Sequence, residues 1–397
     1  MYFDQLFLAY ILVAFFLFIF GDIKNAANVY AITWMALIGG LAFPVINISE
    51  EISQSTYYIL LVLILISYFS FWLGRLNQPF DVPQCFLVKL KPSYIRAARI
   101  SVLFALAFMA SNAIYSKGLP LFNLMFGVGP NYLEFGIPTF NGFLVAFINS
   151  LAVIFFSIYR RTKNKELLIY ILFIFAWHFL VVSRQNLILL IVELIVIIGF
   201  EKNRTIQKGR LILFFFIFIF AFGFLGQIRS GAIDEATGVS LHANDLPSIL
   251  VWLLLYTSVN IYSVDSAFRI DPVYDMHSFA NLVPSFIRND IFGVDAISYD
   301  RWQEAAVVSY IPDIYTDFGF SGLFLFVFIV FYTTAKIYRR AKLEPFGLSY
   351  FLYPTLYFCA LMSFFTNFWF YLPVIFQLFV YLLIWRFYFK KVPNHYR

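Results

Sequence analysis

Five arginines (Arg184, Arg229, Arg269, Arg288 and Arg301) and Lys117 stand apart from the other 22 of the chain's 28 basic residues. Those 22 fall in six short hydrophilic breaks, 21–28, 75–99, 160–166, 201–210, 336–348 and 386–397. The separated six occupy the alternate breaks, together with 16 of the 22 acidic residues. A guanidinium is planar, carries five donors and pairs bidentately with carboxylate or phosphate. Arginine in place of lysine on an otherwise acidic face therefore suits the recognition of an anion such as a phosphate. The competing use is internal ion pairing within a loop, for which Asp271, Asp275, Asp290 and Asp300 are at hand.

The immediate surroundings of these residues add detail. Ser183-Arg184-Gln185 interrupts the apolar region 166–200 at its midpoint, which predicts a tight helical hairpin with Arg184 at the tip. An arginine there must reach water, an anion or a carboxylate, or snorkel to the interface. Gly226-Gln-Ile-Arg229-Ser-Gly231 follows an apolar run directly, and its glycines allow a ligand to approach the backbone closely. His242 and His277 are of a type that serves as a general base, although a loop histidine is more often ordinary. In Tyr315-Thr-Asp317-Phe-Gly319-Phe-Ser-Gly322, Asp317 directly precedes an apolar run and is placed to cap that helix. Gly319 and Gly322 permit tight helix packing. Glu193 and His178 lie within apolar runs, where an ionisable group is functional by default or pairs inside the bundle. Cys85 and Cys359, the only cysteines, suggest neither a disulfide nor a thiolate metal site. There is no nucleotide-binding loop, zinc signature or Ser-His-Asp arrangement, and no metal or cofactor is expected.

The elements that must position these residues follow from composition. The chain is 62% hydrophobic and only 13% charged, with 53 Phe in 397 residues. Repeated apolar runs of this kind imply transmembrane helices, because lipid requires backbone polar groups to be satisfied within each span. Runs lie near 3–20, 29–46, 57–74, 99–115, 141–159, 167–182, 187–200, 211–227, 319–335, 349–365 and 371–389. The expected fold is an all-α polytopic membrane protein, a single transmembrane domain over 1–397 with about 11 spans and a long external region, 229–318. The stretch 248–263 reads as re-entrant or interfacial; if it crosses and 279–297 returns, the count becomes 13. The loop 116–140 is expected to be a folded external turn with little ordinary helix. Positive loops stay cytoplasmic, so the N-terminus is expected outside and the C-terminus inside. Met1-Tyr-Phe-Asp-Gln has no basic n-region and reads as the start of a retained span. The basic residues sit where a membrane protein needs them, so nucleic acid is not an expected partner.

The order of these features resembles the Wzy-type oligosaccharide repeat-unit polymerases, the O-antigen or capsule polymerases. Ser183-Arg184 at a hairpin tip, Arg229 after the next outward span, a long external loop, and Tyr315-Thr-Asp317-Phe318-Gly319 with Gly322 carry the resemblance, over roughly 100–335. It implies a location in the bacterial inner membrane and an enzyme acting at the periplasmic face. Such enzymes join undecaprenyl-diphosphate-linked repeat units, and the donor leaves as a lipid diphosphate whose charge fixed cations can stabilise. Arg184, Arg229 and Arg288 are then expected to hold the diphosphate, with Arg269 and Arg301 second. Asp317, His277 and Asp313 remain alternative bases for the acceptor hydroxyl. Partners are lipid-linked glycans and membrane lipid, with a chain-length regulator and a flippase in the same system.

Two other classes compete. A polyprenol-phosphate-sugar glycosyltransferase usually carries an acidic pair in an early external loop; Glu50-Glu51 is such a pair, but its loop is short. A lipid-linked oligosaccharide flippase or transporter would line its spans with polar residues. Here charge concentrates at one face and in one loop.

Overall fold

The computed structural model describes residues 2–41, 52–76, 86–132, 134–200, 248–284 and 309–393. The apolar run 211–227, Arg229, His242, Arg288, Arg301 and Glu50-Glu51 lie outside the described residues.

Helices dominate. In chain order they are α1 (Tyr2–Phe20), α2 (Ala26–Gly40), α3 (Gln54–Leu76), α4 (Tyr94–Tyr115), α5 (Pro120–Phe126), α6 (Phe140–Thr162) and α7 (Lys165–Leu180). Then come α8 (Arg184–Phe200), α9 (Ser248–Phe268), α10 (His277–Ala280), α11 (Tyr310–Leu343), α12 (Leu348–Leu361) and α13 (Leu372–Tyr388). Ten of the eleven apolar runs become helices, α1–α4, α6–α8 and α11–α13. Four of them, α3, α4, α6 and α11, are long and apolar enough to cross a membrane. Shorter apolar helices span Phe7–Phe20 and all of α2, α12 and α13.

Local chemistry sets several boundaries. Asn25 caps α2 by accepting from the Ala27 and Asn28 amides, and Asn164 caps α7 by accepting from the Glu166 amide. Lys163, in the left-handed region at φ 58°, ends α6 and makes its turn into α7 short. The packing is tightest between α3 and α11: a Cβ at Gly74 would sit 2.6 Å from the Tyr332 carbonyl oxygen. A glycine therefore lets these two helix backbones meet. The central helix α6 buries most of its length against α7, α8 and α13. Elsewhere large apolar side chains face outward, among them Leu65, Leu103, Ile329 and Leu383.

Two features depart from the expected outline, and the loop 116–140 keeps to it. A two-stranded antiparallel sheet joins β1 (Phe86–Leu90) to β2 (Phe389–Pro393), pairing Phe86 with Pro393 and Leu90 with Phe389. Each strand was read as basic loop, because five residues of alternation gain a partner only once the chain is folded. The loop 116–140 contains one short helix, α5, opened by Pro120 and closed by Gly127 at φ 66°. The stretch 248–263 belongs to a longer continuous helix, α9, which packs against α2, α3 and α11.

Candidate functional site

The start of α11 is the organising element. Its helix is interrupted at Gly319, whose φ of 64° and ψ of −172° are not helical. Gly319 is a position that needs glycine, since a side chain there is strained and its Cβ would lie 3.1 Å from the Tyr274 hydroxyl. The break frees carbonyls of the preceding turn from the helical ladder. Thr316 O accepts instead from the amides of Val273 and Tyr274, at 2.9 and 3.1 Å. The Tyr315 hydroxyl donates to Ile270 O at 3.0 Å, so the strap 270–276 is laced onto this outer turn of α11.

Asp317 does not cap its own helix, as its position before an apolar run suggested. It is nearly fully buried, and its carboxylate accepts from the backbone amides of His277 at 2.9 Å and Ser278 at 2.7 Å. It therefore caps α10, forty residues away in sequence. Charge at a helix N-terminus and two satisfied donors both favour this arrangement. The consequence is that His277 is held against the start of α11 through its main chain.

Asp313 lies one turn before Asp317 on the same helix. Asn367 Nδ2 donates to its Oδ2 at 3.2 Å. No second partner of Asp313 occurs among the described residues. Asn367 belongs to the turn between α12 and α13, which includes the buried 3-10 segment Phe368–Phe370. The turn is anchored from below: Trp34 Nε1 donates to Ser363 Oγ at 3.0 Å, the Tyr310 amide donates to Ser363 O, and the Tyr30 and Tyr310 hydroxyls share a 2.7 Å hydrogen bond. Phe370 meets Phe279 of α10 edge-on, with centroids 4.9 Å apart.

The α7–α8 hairpin joins the same assembly. It forms as expected: Val182, at φ 58°, turns the chain, and Arg184 opens α8. Asn186 Nδ2 donates to Ser183 Oγ at 2.6 Å, fixing the tip. Arg184 is partly buried there, and the neighbouring Gln185 side chain lies against the Tyr371 hydroxyl at the head of α13. The hairpin tip, the 362–371 turn, the outer turn of α11 and α10 are thus linked in sequence-distant steps.

This assembly is rich in orphaned polar atoms. Gln185 Nε2, Asn186 Oδ1, Ser278 Oγ, Ser309 Oγ, Asn367 Oδ1 and Trp369 Nε1 are buried without a hydrogen-bond partner. Such atoms are rare in protein interiors and carry a cost when left unpaired. They lie on these four elements, while Asn149 Nδ2 and Gln377 Oε1 are further such atoms inside the bundle.

Arg269 stands differently. Its Nε and Nη2 bind Asp265 Oδ2 at 2.9 and 2.6 Å. Asp265 Oδ1 in turn accepts from Ser53 N, Ser53 Oγ and Thr56 Oγ1 at 2.9, 2.7 and 2.6 Å. Arg269, just past the end of α9, thus pairs with Asp265 one turn back in that helix, an acid outside the set of loop aspartates named above. This network ties α9 to the start of α3.

Of the ionisable groups inside the bundle, Glu193 is fully buried. Gln377 Nε2 donates to both of its carboxylate oxygens at 2.8 Å, and Thr355 Oγ1 donates to Oε1 at 2.5 Å. His178 Nε2 bonds Asn149 Oδ1 at 2.7 Å, also fully enclosed. Both braces join helices within the bundle. The sequence reading passed over Asn367 and Ser363. Their signal was a pair of polar residues, with Thr366, inside an otherwise apolar and aromatic stretch. Among the described residues no group of three metal-ligating side chains forms. A comparison with protein-family models, curated proteins and solved structures finds no match for this chain.

Proposed function

We propose that this chain is a membrane-embedded glycosyltransferase that polymerises undecaprenyl-diphosphate-linked oligosaccharide repeat units at the periplasmic face of the bacterial inner membrane. The observation that supports the reading is that the 362–371 turn touches both the arginine-bearing hairpin, through Gln185 and Tyr371, and Asp313, through Asn367, and that buried polar atoms without a partner lie on these elements. In this reading a hydroxyl of the acceptor unit attacks the anomeric carbon of the donor. The bond from that carbon to the diphosphate oxygen breaks, and the lipid diphosphate leaves. Arg184 stabilises the charge that develops on the leaving diphosphate, joined by Arg229 and Arg288, with Arg269 and Arg301 in support. The hydroxyl proton passes to Asp313, which Asn367 orients through one oxygen and leaves the other to accept. His277 is the second choice of base. Asp317, with both oxygens engaged by amides, holds α10 in place.

The proposed topology has eleven spans, the N-terminus outside and the C-terminus in the cytoplasm. The 21 residues of α9 are enough for a crossing, and the eleven-span count keeps this helix as re-entrant or interfacial. Lipid-linked glycans are the substrates, with a flippase supplying them and a chain-length regulator as a further partner.

The test is extension of a purified lipid-linked repeat unit by the purified full chain. Products longer than one unit, with release of undecaprenyl diphosphate, are expected. An intact, folded protein that releases no diphosphate and makes no longer glycan overturns the reading. In cells, loss of single units from the outer surface in an Arg184→Ala strain would favour transport instead.

A further inference from the structure

At the opposite end of the bundle, the β1–β2 ribbon presents two unlike faces. Val88 and Leu90 pack against the core and Phe389 is part of it, so one face is turned inward. On the other face Lys89 and Lys390 lie directly opposite one another in register, both exposed, beside exposed Leu87. Like charges directly opposite across a sheet repel. Lys391, the next residue along β2, is paired with Val88 and so falls on the opposite face, at its exposed edge. None of these three lysines has an acidic partner among the described residues, whereas Arg99 on α4 holds Glu166 at 2.8 Å.

The ribbon is also fixed in position. Lys91 N donates to Tyr388 O at 2.9 Å, Lys91 Nζ to Arg386 O at 2.5 Å, and the Tyr388 hydroxyl to Ser101 Oγ at 2.8 Å. These bonds seat it at the adjoining ends of α4 and α13. Directly along those helices, Leu103, Phe104, Leu383 and Phe387 are more than half exposed. A rigid cationic ledge at the foot of an apolar outward wall matches a molecule with an anionic head and hydrocarbon tails. Charge and wall together select a lipid over a soluble anion.

We propose that the Lys89–Lys390 face of the ribbon is a binding site for the headgroup of an acidic phospholipid. The headgroup phosphate lies between the two opposed ammonium groups and relieves their repulsion, and the tails lie on the α4–α13 wall. Juxtamembrane basic residues attract acidic lipid in this way.

The experiment uses the full chain reconstituted in phosphatidylcholine bilayers containing phosphatidylglycerol. Native mass spectrometry then counts the lipids retained on the released protein. The wild-type chain is expected to keep phosphatidylglycerol in preference to phosphatidylcholine. In Lys89→Gln/Lys390→Gln that preference falls roughly 25-fold, about fivefold per lysine. A control, Lys163→Gln/Lys336→Gln, removes the same charge elsewhere on the basic side and is expected to keep the preference. An unchanged preference in the ribbon variant overturns the site, and so does an equal fall in the control, which would mean diffuse attraction. Inorganic phosphate alone raising the thermal midpoint of the wild type as much as phosphatidylglycerol does would overturn the choice of lipid. Circular dichroism of both variants shows whether the helices remain.

Discussion

The two ends of the bundle are built by opposite rules. At the basic end, the turn between α1 and α2 is nailed down by three tyrosines. Tyr338 donates to Asp22 at 2.8 Å, Tyr357 to Ile23 O at 2.8 Å, and Tyr353 to Lys24 O while accepting from Ala26 N. Asn28 bonds Leu17 O and Tyr68, and Asn25 caps α2. No orphaned buried polar atom occurs among the described residues of that turn. At the acidic end, six such atoms gather around a broken helix, a strained hairpin and a carboxylate with one open side. A fully satisfied polar network rigidifies, and a partly satisfied one is unstable unless something completes it. The difference is that the basic-end turn is fully hydrogen-bonded among the described residues, whereas the acidic end keeps buried polar atoms without a partner, which is the contrast the proposed function rests on.

Substitutions can break this contrast, and the largest effects belong to the acidic end. Arg184→Ala is expected to lower glycan extension about 10²–10³-fold, the size of loss seen when one transition-state donor is removed. Asp313→Asn is expected to cost about 10²–10⁴-fold in the same assay, with the thermal midpoint little changed. If Asp313→Asn extends normally and an exchange at His277 does not, the base is His277 and the acidic end keeps its role with a different actor.

A middle-sized effect separates scaffold from chemistry. Tyr353→Phe leaves Lys24 O and Ala26 N without their partner and is expected to destabilise the protein by about 1–3 kcal/mol. Turnover per folded molecule should not change. A loss of turnover at unchanged stability would erase the distinction between the two ends. Gly319→Ala tests the other side, because a residue forced into the left-handed region costs roughly 1–2 kcal/mol. Limited proteolysis of the strap 270–276 should rise in this variant, since its anchor on Thr316 moves.

The smallest effect concerns the exposed pair at the basic end. Hydrogen bonds from Arg99 and Tyr170 hold the Glu166 carboxyl down at about 2, from an ordinary 4.5. A depressed folded value means the contribution is present above about 4.5 and is lost as pH falls toward 2. Glu166→Gln is therefore expected to melt slightly below the wild type at pH 6 and together with it near pH 2. The gap should shrink in high salt, because an exposed pair is screened. A gap that persists at low pH would mean the side chain matters for packing and not for charge.

Much of the outline could be read without coordinates. Apolar run length decides where helices form, so ten runs became helices, and the hairpin tip at Ser183–Arg184 appeared where expected. The recurrence of charge along the chain separated the two ends. These are properties of short stretches, dictated by the cost of placing polar backbone or charge in an apolar medium. Pairing between distant residues was not legible in the same way. Asp317 carried a reasonable local reading as a cap for its own helix, yet it closes α10 instead. Asn367 reaches Asp313 across 54 residues, and Arg269 pairs with Asp265 of α9, an acid the loop sequence did not single out. The strand partners 86–90 and 389–393 lie at opposite ends of the chain. Each of these contacts depends on which helix faces pack together, and short-range patterns of hydropathy and charge carry no record of that. The sequence by itself determined which segments are helical and which end is acidic. The tertiary structure alone decided which carboxylate is engaged and which is open, because hydrogen bonds are settled by distance and direction after the helices have packed.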